Sequence, residues 1–351
     1  MYIRSTDINR TLLSATSNMI GMYGLPGYME VNMTDFPDEA PWPSGFVPIP
    51  IHTINDNYDH LIDVDNYCPF QDAVWDLAKT TPEVAAYINS PDVQNLLKNL
   101  SANTGEEITV DNLWITVTAL KIEKSYFEAT LREKTKWYSD ELYEKADIIN
   151  DQIQLYQNGI FNKTIKDGID VGNTLKKIRG GSVMNEIDNR IKFKLDCMNQ
   201  TNNKDCTWIN NLNYYAYSAA AAFIELWTQN NGSEPLFRLM YHRNASDDFI
   251  PVTMGIPKCN NSEFCPISVW HEYASQVVPD KPMVEWCKET TVSTSTISQT
   301  TTTTASTSTI PQTTTTIAST STIFHTMTTT TSTSTTPFLA PFTIGLLYLI
   351  F

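Results

Sequence analysis

The sequence predicts an α/β head, and three features carry that expectation. Short apolar strands recur early and late, ending at Arg4 and covering 46–53, 213–218, 222–227 and 236–242. Between them, residues 70–185 hold helical periodicity. Six cysteines, an even number, stand among many Asn-x-Ser/Thr sequons, which argues for disulfides formed in an oxidising compartment. The chain has 351 residues and a formal charge of −15. Its Ser/Thr-rich end cannot build a core, which leaves about 290 residues for one large domain or two small ones. The acidic balance argues against nucleic acid as a partner, because that needs basic surface. No feature fixes an oligomeric state.

The opening stretch runs Tyr2-Ile3-Arg4-Ser5-Thr6-Asp7-Ile8-Asn9-Arg10. Ser5, Thr6 and Asp7 are all N-cap residue types. Leu12, Ala15, Met19 and Met22 follow at near-helical spacing, and Gly24 with Pro26 supplies a stop. This predicts a strand end, a tight turn and a helix, with Arg4 at the turn. An arginine there offers its planar fork to an oxyanion, and a helix start favours the same charge. The alternative is an arginine paired with a nearby carboxylate.

Residues 25–45 read as a loop rich in proline and acidic residues, and 46–53 as a strand with prolines at its edge. Thr81-Pro82-Glu83 and Ser90-Pro91-Asp92 each place an N-cap before a proline at N1. Leu113, Val117 and Leu120 share a helical face. Ser139 opens a long helix with Leu142, Ala146, Ile149, Ile153 and Tyr156 on its apolar stripe, closed by Gly159. That stripe is core packing. The 222–227 and 236–242 strands are joined through Asn230-Asn231-Gly232, a hairpin signal. A short helix is expected at 267–278. His271-Glu272 within it reads as a solvated face and not a metal pair. His52 is read as structural.

Several motifs in order resemble one family. Arg4-Ser5-Thr6-Asp7 leading to Arg10-Thr11-Leu12, the Pro48-Ile49-Pro50-Ile51-His52-Thr53 strand, Gly180-Gly181-Ser182-Val183-Met184-Asn185-Glu186-Ile187, Tyr217-Ser218-Ala219, and Cys259, Cys265 and Trp286-Cys287 resemble the histidine acid phosphatases over about residues 1–287. The resemblance implies a phosphoglycerate-mutase-like mixed sheet flanked by helices. It also implies an inserted α-helical cap at about 70–185 and a head spanning 1–287. The implied chemistry is phosphomonoester hydrolysis through a phosphohistidine, with no metal or other cofactor. Arginines hold the equatorial oxygens and an aspartic acid protonates the leaving alcohol. Trp137 matches an aromatic flanking the family's pocket, or is simply a buried tryptophan.

The departures bear on activity. The family's nucleophile sits in an Arg-His-Gly motif, and no Arg-His-Gly occurs in this sequence. Its general acid is the Asp of a His-Asp pair directly after Tyr-Ser-Ala. Here Ser218-Ala219 runs into Ala220-Ala221-Ala222. Of the family's catalytic set only Arg4 carries over, as a phosphate-binding residue, and no catalytic residue survives. His52, His60, His242, His271 and His325 stand in no nucleophile-like context. The expectation is a chain that holds a phosphomonoester or other anion but does not turn it over. The alternative is a surface-anchored pseudoenzyme or mucin-like adhesion protein. Met1 is followed at once by family-like sequence, with no signal peptide. The fold is therefore expected to be N-terminally incomplete, with the strand ending at Arg4 lacking its central neighbour.

Six cysteines allow many pairings. The two short loops suggest Cys197–Cys206 and Cys259–Cys265, which leaves Cys68–Cys287. The first departs from the best-known family members and the other two resemble them. N-glycosylation is expected at Asn32, Asn99, Asn162, Asn199, Asn231, Asn244 and Asn260, whereas Asn9, beside Arg4, is expected to stay unmodified. Residues 288–336 are Ser/Thr-rich and read as a mucin-like stalk. Residues 337–351 are apolar and uncharged, shorter than the ~20 residues of a spanning helix and interrupted by Pro341. This favours a GPI signal over a single-pass helix. Either makes the membrane a partner through the C-terminal tail and puts the head outside the cell.

Overall fold

The computed structural model of the chain describes residues 2–23, 49–63, 67–198, 200, 203–210, 214–218, 222–228, 233–241, 248–289 and 346–350. Strand β1 (Tyr2–Ser5) buries Ile3, Arg4 and Ser5. Helix α1 (Asn9–Tyr23) lays Ala15 and Met19 on Ile3, the first small core. Met22, placed on the same stripe by spacing, is 46% exposed, so the packed face ends one turn earlier. Strand β2 is Ile51–His52, and 46–48 of the expected 46–53 strand lie outside the described residues. It pairs parallel with β1, Arg4 opposite His52.

The helical block follows. It comprises α2 (Pro69–Ala78), α3 (Pro82–Ile88), α4 (Pro91–Thr104), α5 (Leu113–Tyr126), α6 (Glu128–Lys134) and α7 (Asp140–Gln157). Prolines at the first turn of α2, α3 and α4 cost no hydrogen bond, because those N–H groups have no intrahelical acceptor. Ser90 and Ser139 accept from Val93 N and Leu142 N, as N-caps do. Helix α7 buries Tyr143, Ala146, Ile149, Ile153 and Tyr156. Gly159 follows it at φ +75°, and a Cβ there would stand 2.1 Å from the Gly172 carbonyl oxygen, so only glycine lets the two backbones meet. The short pair β3 (Ile165–Lys166) and β4 (Ile169–Asp170) leads to α8 (Val171–Lys176). Helices α2–α5, α7 and α8 share one core from Cys68 to Ile178, with Trp286 joining it, while Leu131 of α6 packs in a separate small cluster with Leu120, Tyr138 and Tyr143.

A π-helical turn, Lys177–Gly181, then opens α9 (Ser182–Cys197). Gly181 lies where a Cβ would be 2.1 Å from the Val277 carbonyl oxygen, so this glycine of the motif lets the chain at Val277 approach closely, whereas a Cβ at Gly180 would meet nothing. The remaining elements are α10 (Thr207–Asn210), β5 (Tyr214–Ser218), β6 (Ala222–Trp227), β7 (Leu236–Tyr241), β8 (Ile250–Pro251), β9 (Cys265–Pro266), α11 (Ile267–Val277), α12 (Met283–Trp286) and β10 (Leu346–Ile350). Helices α9 and α11 close over β6 and β7 in a second core built from Ile187, Ile191, Ile224, Phe237 and Trp270. Strands β6 and β7 are antiparallel, and the Asn230–Gly232 turn lies outside the described residues.

The sheet runs β2-β1-β5-β10-β6-β7-β8, with β9 on β7. Strands β2, β1 and β5 are mutually parallel and the later pairs mixed. The fold is thus the α/β mixed sheet with flanking helices that the sequence predicts. One expectation is corrected. Strand β1 does not lack a neighbour, because β5 takes that side through four parallel register pairs. Backbone groups on a buried strand must find partners, and β5 supplies them. A second difference concerns the tail. Leu346–Ile350, read as part of an anchor, forms β10 between β5 and β6. Three disulfides join Cys68 to Cys287, Cys197 to Cys206 and Cys259 to Cys265. The first spans 219 residues and ties the start of α2 to the end of α12.

Candidate functional site

Arg4 ends β1 and points into the protein, where it is 4% exposed. Its Nη2 lies 2.7 Å from Asp59 Oδ2, with the two side chains 5% and 0% exposed. Its Nη1 donates to the carbonyl of Ser5 and, at 3.5 Å, to that of His52. Asp59 in turn accepts from the backbone N–H groups of Leu61 and Ile62 at 3.3 and 3.4 Å. The turn after Arg4 is held by side chains: the Thr6 and Thr11 hydroxyls lie 2.7 Å apart, and Thr11 also donates to the Ile8 carbonyl. The guanidinium thus meets one carboxylate and two carbonyls. Burying an arginine needs such compensation, since an unpaired charge inside a protein is costly. Sequence reasoning missed Asp59. It lies 55 residues downstream in a segment without regular periodicity, so only the fold brings the two together.

Among the described residues, no histidine side chain bonds Arg4. The exposed His52 ring stacks on Tyr2 with centroids 4.5 Å apart and a 4° tilt, and only its carbonyl faces Arg4. His242 and His325 lie outside the described residues, as do Ala219–Ala221, where the family would carry His-Asp. His271 corrects an expectation. It is not merely on a solvated face: its Nδ1 bonds Asp188, which is 3% exposed and also held by Lys192 at 2.7 Å. Its neighbour Glu272 pairs with Lys258 instead. Successive helix residues point about 100° apart, which is why the two go separate ways.

Trp137 is half-buried and packs against a small cluster of Leu120, Leu131, Tyr138 and Tyr143. Asn9, Asn99, Asn162 and Asn260 are exposed, and Asn32, Asn199, Asn231 and Asn244 lie outside the described residues. Among the described residues, no three His, Cys, Asp or Glu side chains are placed to hold a metal ion.

A mixed sheet flanked by helices, with a large helical block between its strands, defines an α/β head with an inserted helical region. The histidine phosphatase superfamily (branch 2) matches residues 1–224, well over half of the chain, and the chain belongs to it. A Caenorhabditis elegans protein named "Putative acid phosphatase 10" is 28% identical over 314 residues, covering 80% of this chain and 74% of the relative. Lysosomal acid phosphatase of Xenopus laevis is 24% identical over 76% of this chain and 59% of its own length, and that of Homo sapiens 26% over 80% and 62%. No solved structure matches the chain. This chain is thus an acid-phosphatase-like member of the superfamily.

Proposed function

We propose that the 351-residue chain is a catalytically silent acid-phosphatase-like head. Arg4 is its one anion-holding residue, and the ligand is a phosphomonoester or related anion. The single observation behind the silence is internal to the sequence: Ser218-Ala219 continues as Ala220-Ala221-Ala222, with no His-Asp pair to protonate a leaving alcohol. General acid catalysis contributes roughly 10²–10⁴ in rate, and groups that act as a unit fail together. An arginine holds charge but neither attacks phosphorus nor gives up a proton. Asp59 adds a second brake, because an incoming anion must share the fork with a carboxylate already bonded there.

The location follows from the same reading. Relatives named lysosomal acid phosphatase, six cysteines and the sequons support a secretory or lysosomal route. The Ser/Thr-rich 288–336 stretch reads as an O-glycosylated stalk, and 337–351 as a membrane anchor or GPI signal. Such attachment releases Leu346–Ile350 from the sheet, since one segment cannot pair with β5 and β6 and enter a bilayer together.

The test is hydrolysis of p-nitrophenyl phosphate at acid pH by the purified 351-residue chain. No turnover above buffer is expected. Clear turnover abolished by replacing one of His52, His60, His242, His271 or His325 would overturn the reading, because it would reveal another nucleophile.

A further inference from the structure

Strand β10 enters the sheet where a hairpin would close. Strands β5 and β6 are neighbours in the chain, with residues 219–221 between them. Connections of about two to five residues ordinarily join strands that pair directly. Here β10 stands between the two, antiparallel to β5 and parallel to β6. Strands β5 and β6 therefore run antiparallel to each other, as the arms of a hairpin do. The register completes the match. Across β10, Ala216 lines up with Phe223 through Tyr348, Tyr215 with Ile224 through Leu349, and Tyr214 with Glu225 through Ile350. Each step back along β5 is a step forward along β6. Continued to the turn, this register sets Ser218 opposite Ala221 and makes Ala219 and Ala220 a two-residue loop.

The two arms are held from opposite sides. Strand β5 pairs with β1 through four register pairs, and β6 with β7 through six. Ile224 and Leu226 of β6 belong to the core under α9 and α11. Ile3, Ala15 and Met19 form a separate small core, which meets β6 at Phe223. In the sheet, β2, β1 and β5 reach β6 through β10. Withdrawal of β10 leaves a gap of two strand spacings, about 9–10 Å, and a shift of this group by one spacing closes it in the same register. Turn chemistry opposes that closure. The favoured two-residue loops need positive φ at one or both positions, which glycine tolerates and alanine resists. Insertion of β10 avoids this strain and supplies two ladders where closure supplies one.

We propose that β5 and β6 are a split hairpin with two states. In one, β10 occupies the slot between them. In the other, the tail is out and β5 pairs with β6 directly. Leu346–Ile350 is then a removable strap, uncharged and rich in apolar residues. Any event that takes the tail away, attachment or proteolysis included, resets the sheet instead of leaving two open strand edges. The inference stands on register and turn chemistry and is independent of the phosphate reading.

The experiment is hydrogen exchange, read segment by segment, on the full chain and on the double variant Ala219→Asn/Ala220→Gly, whose loop favours the closed hairpin. The parent chain should protect 346–350. In the variant that protection should fall roughly tenfold or more, the factor implied by relieving left-handed strain at two alanines. Residues 214–218 and 222–225 should keep their protection by pairing with each other. Loss of protection in all three segments would overturn the proposal, since the slot would then open without closing. So would unchanged protection of 346–350 in the variant, or none in the parent. Disulfide trapping in the full chain gives a second reading. Ala216→Cys with Tyr348→Cys should cross-link, because residues directly opposite on adjacent strands lie about 4.5–5.5 Å apart. Ala216→Cys with Phe223→Cys should cross-link only once Leu347→Pro and Leu349→Pro keep β10 out, proline being excluded from a central strand. Failure of that second cross-link with β10 kept out would overturn the closed state.

Discussion

The Arg4–Asp59 pair decides the chemistry of the candidate site one residue at a time. Both side chains are almost wholly out of water. Removing one partner of such a pair leaves a buried charge, which costs roughly 3–5 kcal/mol. Asp59→Asn should therefore lower unfolding stability in urea by about that amount. It also frees the guanidinium from its carboxylate. If Arg4 holds anions, inorganic phosphate should restore more stability to Asp59→Asn than it gives the parent chain, by preferential binding to the folded state. Equal, small effects of phosphate on both chains would remove Arg4 from the phosphate role. The arginine and its turn were legible from the sequence because Ser-Thr-Asp clusters and an apolar helix stripe are local signals. Its partner was not, for Asp59 meets it only after β2 has folded back along β1.

At the scale of elements, the helical block was the most legible part. Proline at N1, serine caps and stripes three and four apart are written into short windows, and α3, α4, α5 and α7 form where they predict. Electrostatics at the start of α7 adds a pH dependence. Arg132, then Lys124 and the Tyr138 hydroxyl, hold the Asp140 carboxyl down at about 2, below its ordinary 3.8. A depressed carboxylate stabilises the fold above its unfolded value, and that contribution is lost as pH falls through the folded one. The advantage of the parent chain over Asp140→Asn in urea unfolding should thus persist at pH 6 and shrink away between about pH 4 and pH 2. A difference independent of pH would mean that Asp140 acts through the α7 N-terminus by shape alone. The short strands were less legible: of the described residues of 46–53, Ile51–His52 pair with β1, because strand pairing depends on a neighbour that the window does not contain.

At the scale of the whole molecule, the C-terminal residues join the sheet. Strand β10 stands between β5 and β6, and both lose a ladder if it leaves. Unpaired buried backbone groups are costly, so truncation after Thr336 should lower the thermal midpoint by roughly 5 °C or more. An unchanged midpoint would mean that the head does not use β10.

The family, the order of strands around a helical block, the caps that start its helices and the absence of a His-Asp pair are all legible in the sequence. Each of these is carried by residues close together in the chain, so local chemistry is enough to read it. It took the packed chain to show that Asp59 occupies the Arg4 fork, that Asp188 takes His271, that β5 covers β1 and that β10 enters the sheet. These pairs lie from 55 to more than a hundred residues apart. What joins them is the need of buried charges and backbone groups to find partners, and that need is settled by where the whole chain packs.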